Sequence, residues 1–253
     1  MGWATGKHAL ITGGGTGIGA AAARALASEG ARVSLLGRRL DPLQSVAAET
    51  GGRAFACDVS DRASQEAAFA AARDASGPFD MVILNAGIGD SAPFLRTSRE
   101  TWDRIIATNL TGLFDGAQLA LPDLLDGDNK RLIIVASVAG LRGGVYAAPY
   151  VASKHGAVGL TKSLALEFAK TNLTVNAVCP AFVDTPMVDD SAARIARVTR
   201  RSDDEARASL AALNANGRLV TAEEVAHAIL YLCHPDAGSV TGACVTVDGG
   251  TTA

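Results

Sequence analysis

The sequence predicts an α/β protein built on a parallel sheet with helices on both faces. Three observations carry this. Short apolar runs alternate with helical patterns along the chain, a glycine-rich turn follows the first run, and no linker, repeat or composition break divides the 253 residues. Strands that alternate with helices join by right-handed crossovers into a parallel sheet covered on both sides. With 48% hydrophobic residues the chain can bury a full core without disulfides or metals, and it reads as one domain, 1–253.

The elements follow in order. Ala9 to Ile11 is the first apolar run, followed by the turn Thr12 to Gly19 and an alanine-rich helical stretch, Gly17 to Ser28. Val33 to Leu36 and Ala54 to Cys57 each precede a helix, and Met81 to Leu84 precedes a loop and a long helix. Leu132 to Val135 and Val175 to Val178 come next, and Cys244 to Val247 completes the sheet. The long strandless interval 181–217 is charged and helical in pattern, and its place after the sixth strand makes it a candidate lid. If Ser191 to Arg201 is helical, Arg194, Arg197 and Arg201 share one face. They then either hold phosphates of a substrate carrier or form a solvated face balanced by Asp189, Asp190, Asp203, Asp204 and Glu205.

Composition excludes several classes. The formal net charge is -3, with 23 Lys and Arg scattered among 26 acids, so no basic stripe points to nucleic acid. Met1 to His8 holds no charged segment before an apolar run, and no uncharged apolar stretch approaches the ~20 residues of a membrane span. No membrane partner is expected, and the location is read as cytoplasmic. Cys57, Cys179, Cys233 and Cys244 lack CxxC spacing, and His8, His155, His227 and His234 lack ligand spacing, so neither disulfides nor a metal is expected.

The turn TGGGTGIG, Thr12 to Gly19, lets backbone approach a pyrophosphate at a helix N-terminus, where free N–H groups and the helix dipole favour an anion. Its register is open, because Gly15, Gly17 and Ala20 also satisfy the GxGxx(G/A) dinucleotide fingerprint. The second strand ends Leu36-Gly37-Arg38-Arg39. An acid there would hold adenine ribose hydroxyls, whereas a cation suits the extra phosphate of NADP. Arg38 therefore favours NADP(H), with NAD(H) as the alternative; the other reading is a solvated arginine pair opening a helix. Asp58, after the third strand, either reaches adenine or caps a helix.

Tyr150 and Lys154 stand four residues apart in a helical stretch, Pro149 to Lys170, which puts phenol and ammonium on one face. Proton transfer at neutral pH requires lowering a phenol from ~10 by roughly 2 to 3 units, or about 3 to 4 kcal/mol. A cation about 4 Å away at an effective dielectric of about 20 supplies about 4 kcal/mol. The spacing alone arises by chance in helices, so its context decides. Ser137 follows the strand Leu132 to Val135 at its C-terminal end, where open α/β sheets bind ligands. Asn109 lies among Trp102, Ile105, Ile106, Leu110, Leu113 and Ala117, so a buried amide needs partners: nearby backbone, a water near the lysine, or both. Asn85-Ala86-Gly87 follows the fourth strand at the same edge.

With these residues in place, the sequence resembles the short-chain dehydrogenase/reductase family over essentially its whole length. TGGGTGIG, Asp58, Asn85-Ala86-Gly87, Asn109, Ser137, YVASK and a proline turn occur in the family's order and spacing. The resemblance implies a single Rossmann-type, doubly wound sheet of seven parallel strands and a nicotinamide cofactor. It implies that Tyr150 is the general acid or base and that Ser137 polarises a carbonyl. Lys154 would bind the nicotinamide ribose and lower the tyrosine pKa, and Asn109 would hold a water in a proton relay. Gly13, Gly17, Ile18 and Gly19 would meet the pyrophosphate, Arg38 the 2′-phosphate, and Asp58 and Val59 the adenine. Asn85, Ala86 and Gly87 would line the ribose side, with Pro180, Val183 and Thr185 at the carboxamide. Pro180-Ala181 departs from the family's usual Pro-Gly, which loosens the last of these assignments.

Within the family, the stretch from Tyr146 to Met187 looks most like reductases of β-ketoacyl thioesters and the ketoreductases of aromatic polyketide synthesis. A 3-oxoacyl group on CoA or an acyl carrier protein is then the expected substrate. The alternatives are an NAD-dependent 3-hydroxyacyl-CoA or secondary alcohol dehydrogenase, and a non-catalytic nucleotide-binding partner subunit, against which the intact Asn109, Ser137, Tyr150 and Lys154 argue. The resemblance also implies a homotetramer. Ala152, Gly156, Ala157 and Gly159 on the lysine-bearing helix, and a mean hydropathy of +0.20, permit it.

Overall fold

The computed structural model describes residues 2–253; Met1, the first residue of the 1–253 span, lies outside them. Strands β1 (His8–Thr12), β2 (Arg32–Gly37), β3 (Arg53–Ala56), β4 (Met81–Leu84), β5 (Lys130–Val135), β6 (Leu173–Pro180) and β7 (Cys244–Val247) form one sheet. Their order is β3-β2-β1-β4-β5-β6-β7, and every pairing is parallel. The chain builds outward from β1 to β3, then returns to β4 on the other side of β1. A crevice therefore opens at the C-terminal ends of β1 and β4, where the connections diverge to opposite faces.

The central strands are largely apolar because both faces are covered, and β1 and β4 are buried along their whole length. Successive side chains point to opposite sides, so Ile11, Leu35, Ile83 and Ile133 join one core while Leu10, Leu36, Val82 and Leu132 join the other. The first core lies under α1 (Gly17–Ser28) and α9 (Ala222–Cys233), with α2 (Leu40–Thr50) at its edge. Buried Ala20 to Ala23 let α1 lie close to its neighbours. The second core lies under α3 (Arg62–Ser76), α5 (Gly112–Leu124) and α6 (Ala148–Glu167).

The edges of β1, β2, β3, β5 and β6 differ from the apolar runs, most instructively at β5. β5 begins at Lys130, two residues before its apolar run, and both cations there are buried. Lys130 Nζ reaches the Phe79 carbonyl and Asp80, each at 3.1 Å, while Arg131 donates to the carbonyls of Lys130, His234 and Pro235. Hydrogen bonding offsets the burial of these charges.

Interval 181–217 contains two helices, α7 (Pro186–Thr199) and α8 (Asp203–Ala211). They share a small core of Val188, Ala192, Ala196, Ala206 and Leu210, separate from the two cores against the sheet. The expected stripe of three arginines does not form. Helix α7 stops at Thr199, and Arg200 turns left-handed at φ 59°, so Arg201 leaves the face shared by Arg194 and Arg197.

Candidate active site

Backbone geometry shows why the turn needs glycines. Gly13 (φ 66°) and Gly17 (φ 52°) adopt the left-handed region that favours glycine. A methyl group on Gly19 would stand 2.2 Å from the Gly13 carbonyl oxygen, so α1 enters this turn only without a side chain there. Thr16 caps α1 without a side-chain bond, and the first turn carries no acid, which leaves the helix N-terminus ready for an anion. Thr12 ties this turn to the next strand end. Its Oγ1 accepts from the backbone N–H groups of Asn85 at 2.9 Å and Ala86 at 3.0 Å, and Asn85 Nδ2 donates to the carbonyls of Thr12 and Gly13.

A cleft of about 440 Å³ runs from here across the ends of β2 and β3. It brings together Gly13, Arg38, Asp58, Val59, Ala86 and Gly87 of the expected set, with Gly15, Thr16, Arg39 and Thr108. Arg38 is exposed. Asp58 Oδ1 accepts from the Ser60 N–H and hydroxyl at 2.9 and 2.6 Å, and these bonds, with a smaller contribution from Arg38, hold its carboxyl below the usual range. The cap of α3 is Asp61 instead, whose side chain accepts from Ala63. Ile18 packs against the core, and the Val59 side chain is buried. Val183 likewise points its side chain into the core and pairs with Val220, while its carbonyl accepts from Thr185 Oγ1 at 3.2 Å. Thr185 lies over the glycine turn, where its methyl would stand 2.8 Å from a Cβ on Gly17.

Ser137, Tyr150 and Lys154 converge at the ends of β5 and β6. Ser137 caps a short turn by accepting from Ala139 N–H, and its hydroxyl donates to the Pro180 carbonyl at 3.4 Å, a weak bond easily exchanged. Lys154 is 5% exposed, donates to the Val135 carbonyl at 2.8 Å, and lies 5.7 Å from the centroid of the Tyr150 ring. Burial lowers its pKa to about 8. Burial also pushes the Tyr150 phenol up, with the Ser137 hydroxyl pulling the other way. In these residues taken by themselves burial is the larger influence, and Tyr150 is held as the protonated phenol.

Asn109 sits in a π-helical turn, Ala107–Thr111, between α4 (Arg99–Ile106) and α5, rather than within one continuous helix. Such turns are rare and cluster at functional sites. The amide is 1% exposed and engaged on both sides: Oδ1 accepts from Ile88 N–H at 2.8 Å, and Nδ2 donates to the Ile88 carbonyl at 2.9 Å and to Ser153 Oγ at 3.2 Å. Its side chain thus fastens the loop after β4. Ser153 passes the connection on, donating to the Tyr150 carbonyl at 2.7 Å. A methyl on Gly87 would stand 3.3 Å from Asn109 Oδ1 and 3.7 Å from Lys154 Nζ, so Gly87 joins cleft to reacting end. Sequence reasoning missed Thr12 and Ser153 as individual residues; both lie inside motifs, but only the returning strands show what they bind.

Known proteins resemble this chain over nearly its whole length. A family model described as enoyl-(acyl carrier protein) reductase matches residues 13–252. A Streptomyces coelicolor protein provisionally named a ketoacyl reductase is 39% identical, covering 96% of this chain and 95% of its own. The 3-oxoacyl-[acyl-carrier-protein] reductase FabG of Escherichia coli is 35% identical, covering 97% of each chain. The crystal structure of a substituted actinorhodin polyketide ketoreductase with NADPH superimposes with a TM-score of 0.92 at 37% identity, again over 97% of each chain. The chain belongs to the short-chain dehydrogenase/reductase family.

Proposed function

We propose that this chain reduces a 3-oxoacyl thioester, carried on CoA or an acyl carrier protein, to the 3-hydroxyacyl compound with NADPH. The observation that carries the reading is the meeting of Ser137, Tyr150 and buried Lys154 beside the nucleotide cleft. The names of the relatives support the substrate class. The cleft fits the cofactor: an uncapped helix N-terminus follows the glycine turn, and an exposed Arg38 lines the cleft and would meet a 2′-phosphate. Gly13, Gly17, Ile18, Gly19, Arg38, Asp58, Val59, Asn85, Ala86 and Gly87 would hold its adenine and phosphate half, with Pro180, Val183 and Thr185 near the other end. The bound nicotinamide supplies the hydride.

The residues supply the rest. Ser137 and Tyr150 donate hydrogen bonds to the substrate carbonyl oxygen, stabilising the charge that develops there. Tyr150 then gives that oxygen its proton, for which its protonated state in the buried site is the required one. Lys154 favours the phenolate left behind, and Asn109 with Ser153 holds the turn from which Tyr150 projects. Residues 181–217 act as a lid, and Met187 of α7 already lies against the loop after β4, 3.7 Å from a Cβ on Gly89. Helix α6 points Ala157 and Gly156 inward but leaves Gly159 facing open space, where another chain of a homotetramer would pack; the location proposed is the cytoplasm. Among the described residues no helix is long and apolar enough to cross a membrane.

The test is turnover of a 3-oxoacyl-CoA with NADPH and with NADH, beside a small ketone and the matching 2-enoyl-CoA. NADPH-dependent loss of the 3-oxoacyl thioester is expected to dominate. Preference for the enoyl thioester or for the free ketone would overturn the substrate assignment. Light scattering at micromolar concentration should give about four times the 25.8 kDa of one chain.

A further inference from the structure

Gln65, near the start of α3, is a fully buried polar side chain that the proposed chemistry leaves unused. Its Nε2 donates to the Val59 carbonyl at 2.8 Å and to the Gly112 carbonyl at 3.0 Å. These acceptors belong to different ends of the site. Val59 lines the nucleotide cleft beside Asp58, and Gly112 begins α5 directly after the π-turn that carries Asn109.

The joint is built from several sides. A methyl on Gly112 would stand 2.1 Å from the Val59 carbonyl oxygen, so the two segments touch only because residue 112 is glycine. A methyl on Gly116 would stand 3.1 Å from Gln65 Oε1, so a second glycine makes room for the amide. Oε1 itself has no partner. A buried acceptor left unpaired destabilises a fold, so the favourable contribution of this amide lies in what its N–H groups hold. Turning the amide over would set its oxygen against two carbonyls, so the orientation is determined. Beyond the π-turn, Asn109 continues through Ser153 to the carbonyl of Tyr150.

We infer that Gln65 is a positioning residue that locks the adenine-side loop 58–60 to the π-turn, so that filling the adenine site orders Asn109 and the turn bearing Tyr150. The inference rests on the reading of the cleft as the NADPH site. Its physical warrant is an unbroken chain of hydrogen bonds between two backbone segments that otherwise belong to separate loops.

Amide hydrogen exchange with adenosine 2′,5′-bisphosphate tests it, since this probe carries the adenine half of the cofactor and has no nicotinamide to approach Asn109. In the unmodified protein the probe should slow exchange at 37–43, at 57–60 and also at 107–112. In Gln65→Met, of similar length but without a donor, slowing at 37–43 should persist and slowing at 107–112 should vanish. Saturated kcat should fall about two- to thirty-fold, the range of couplings carried by packed networks. Unchanged exchange at 107–112 in the unmodified protein, with 37–43 protected, would overturn the inference without any variant. So would protection of 107–112 that survives in Gln65→Met, since Thr108 also lines the cleft and could be touched directly. Absence of protection at 37–43 would defeat the cofactor reading itself, and this inference with it.

Discussion

Replacing Lys154 by Met separates what the lysine contributes to chemistry from what it costs the fold. The ammonium lies 5.7 Å from the tyrosine ring centroid. At an effective dielectric of about 20, a charge at that distance stabilises a phenolate by about 3 kcal/mol, or roughly a hundredfold in rate. Lys154 is protonated at pH 7 because burial lowers it only to about 8. That same depression, from an ordinary value of 10.5, corresponds to about 3 kcal/mol of unfavourable charge burial in the folded protein. Between these two values the unfolded chain binds the proton and the folded chain does not. The stability of the unmodified, cofactor-free protein therefore rises as pH increases through this window. Methionine fills the same space with no charge to bury. The variant should lose about a hundredfold in kcat at pH 7, keep or raise its urea midpoint at pH 7, and lack the rise in stability toward pH 10. Steady-state kinetics with NADPH and urea melts at pH 7, 8, 9 and 10 measure all three. A variant that keeps more than about a third of kcat, against the expected hundredfold loss, would refute the electrostatic role. A parallel pH dependence of stability in both proteins would refute the buried-charge account.

Tyr150→Phe removes the transferred proton alone, so kcat should drop about 10² to 10⁴-fold while NADPH binding, followed by fluorescence titration, is retained. Arg38→Asp exchanges a phosphate-binding cation for an acceptor of ribose hydroxyls; kcat/KM should shift from NADPH toward NADH by at least the about 1.5 to 3 kcal/mol of a charge-assisted bond, and an unchanged ratio would count against the assignment. His8 is fully buried, bonded to the Gly77 carbonyl and Ser34 Oγ at 2.8 Å each, and desolvation holds its pKa below the ordinary 6.5. The unfolded chain takes up that proton first, so stability should decline as pH falls through about 6.5, and His8→Gln should flatten that part of a urea-midpoint profile.

Much of this architecture is local and was legible. A parallel strand covered on both faces is apolar along its length, as β4 is, and β4 coincides with its apolar run; so do the partly buried edge strand β7 and, with its alanine-rich stretch, α1. The failures are equally physical. Lys130 and Arg131 read as a strand terminus because a cation seeks water unless carbonyls and a carboxylate surround it, and theirs come from residues as distant as Asp80 and Pro235. The arginine stripe broke because Arg200 turns left-handed, which helical periodicity does not register.

By itself the sequence determined the sheet and the glycine turn and pointed to Asn109, Ser137, Tyr150 and Lys154, since strand period, glycine backbone freedom and helical spacing act over a few residues. Only the tertiary structure decided how those residues are held. The return of β4 beside β1 sets Thr12 against Asn85, the π-turn carries Asn109 to Ile88 and Ser153, and Gln65 spans two loops. Each of these depends on segments distant in the chain meeting in space. The protonation states of Tyr150 and Lys154 depend on the same meeting, because desolvation is a property of the surroundings rather than of the residue.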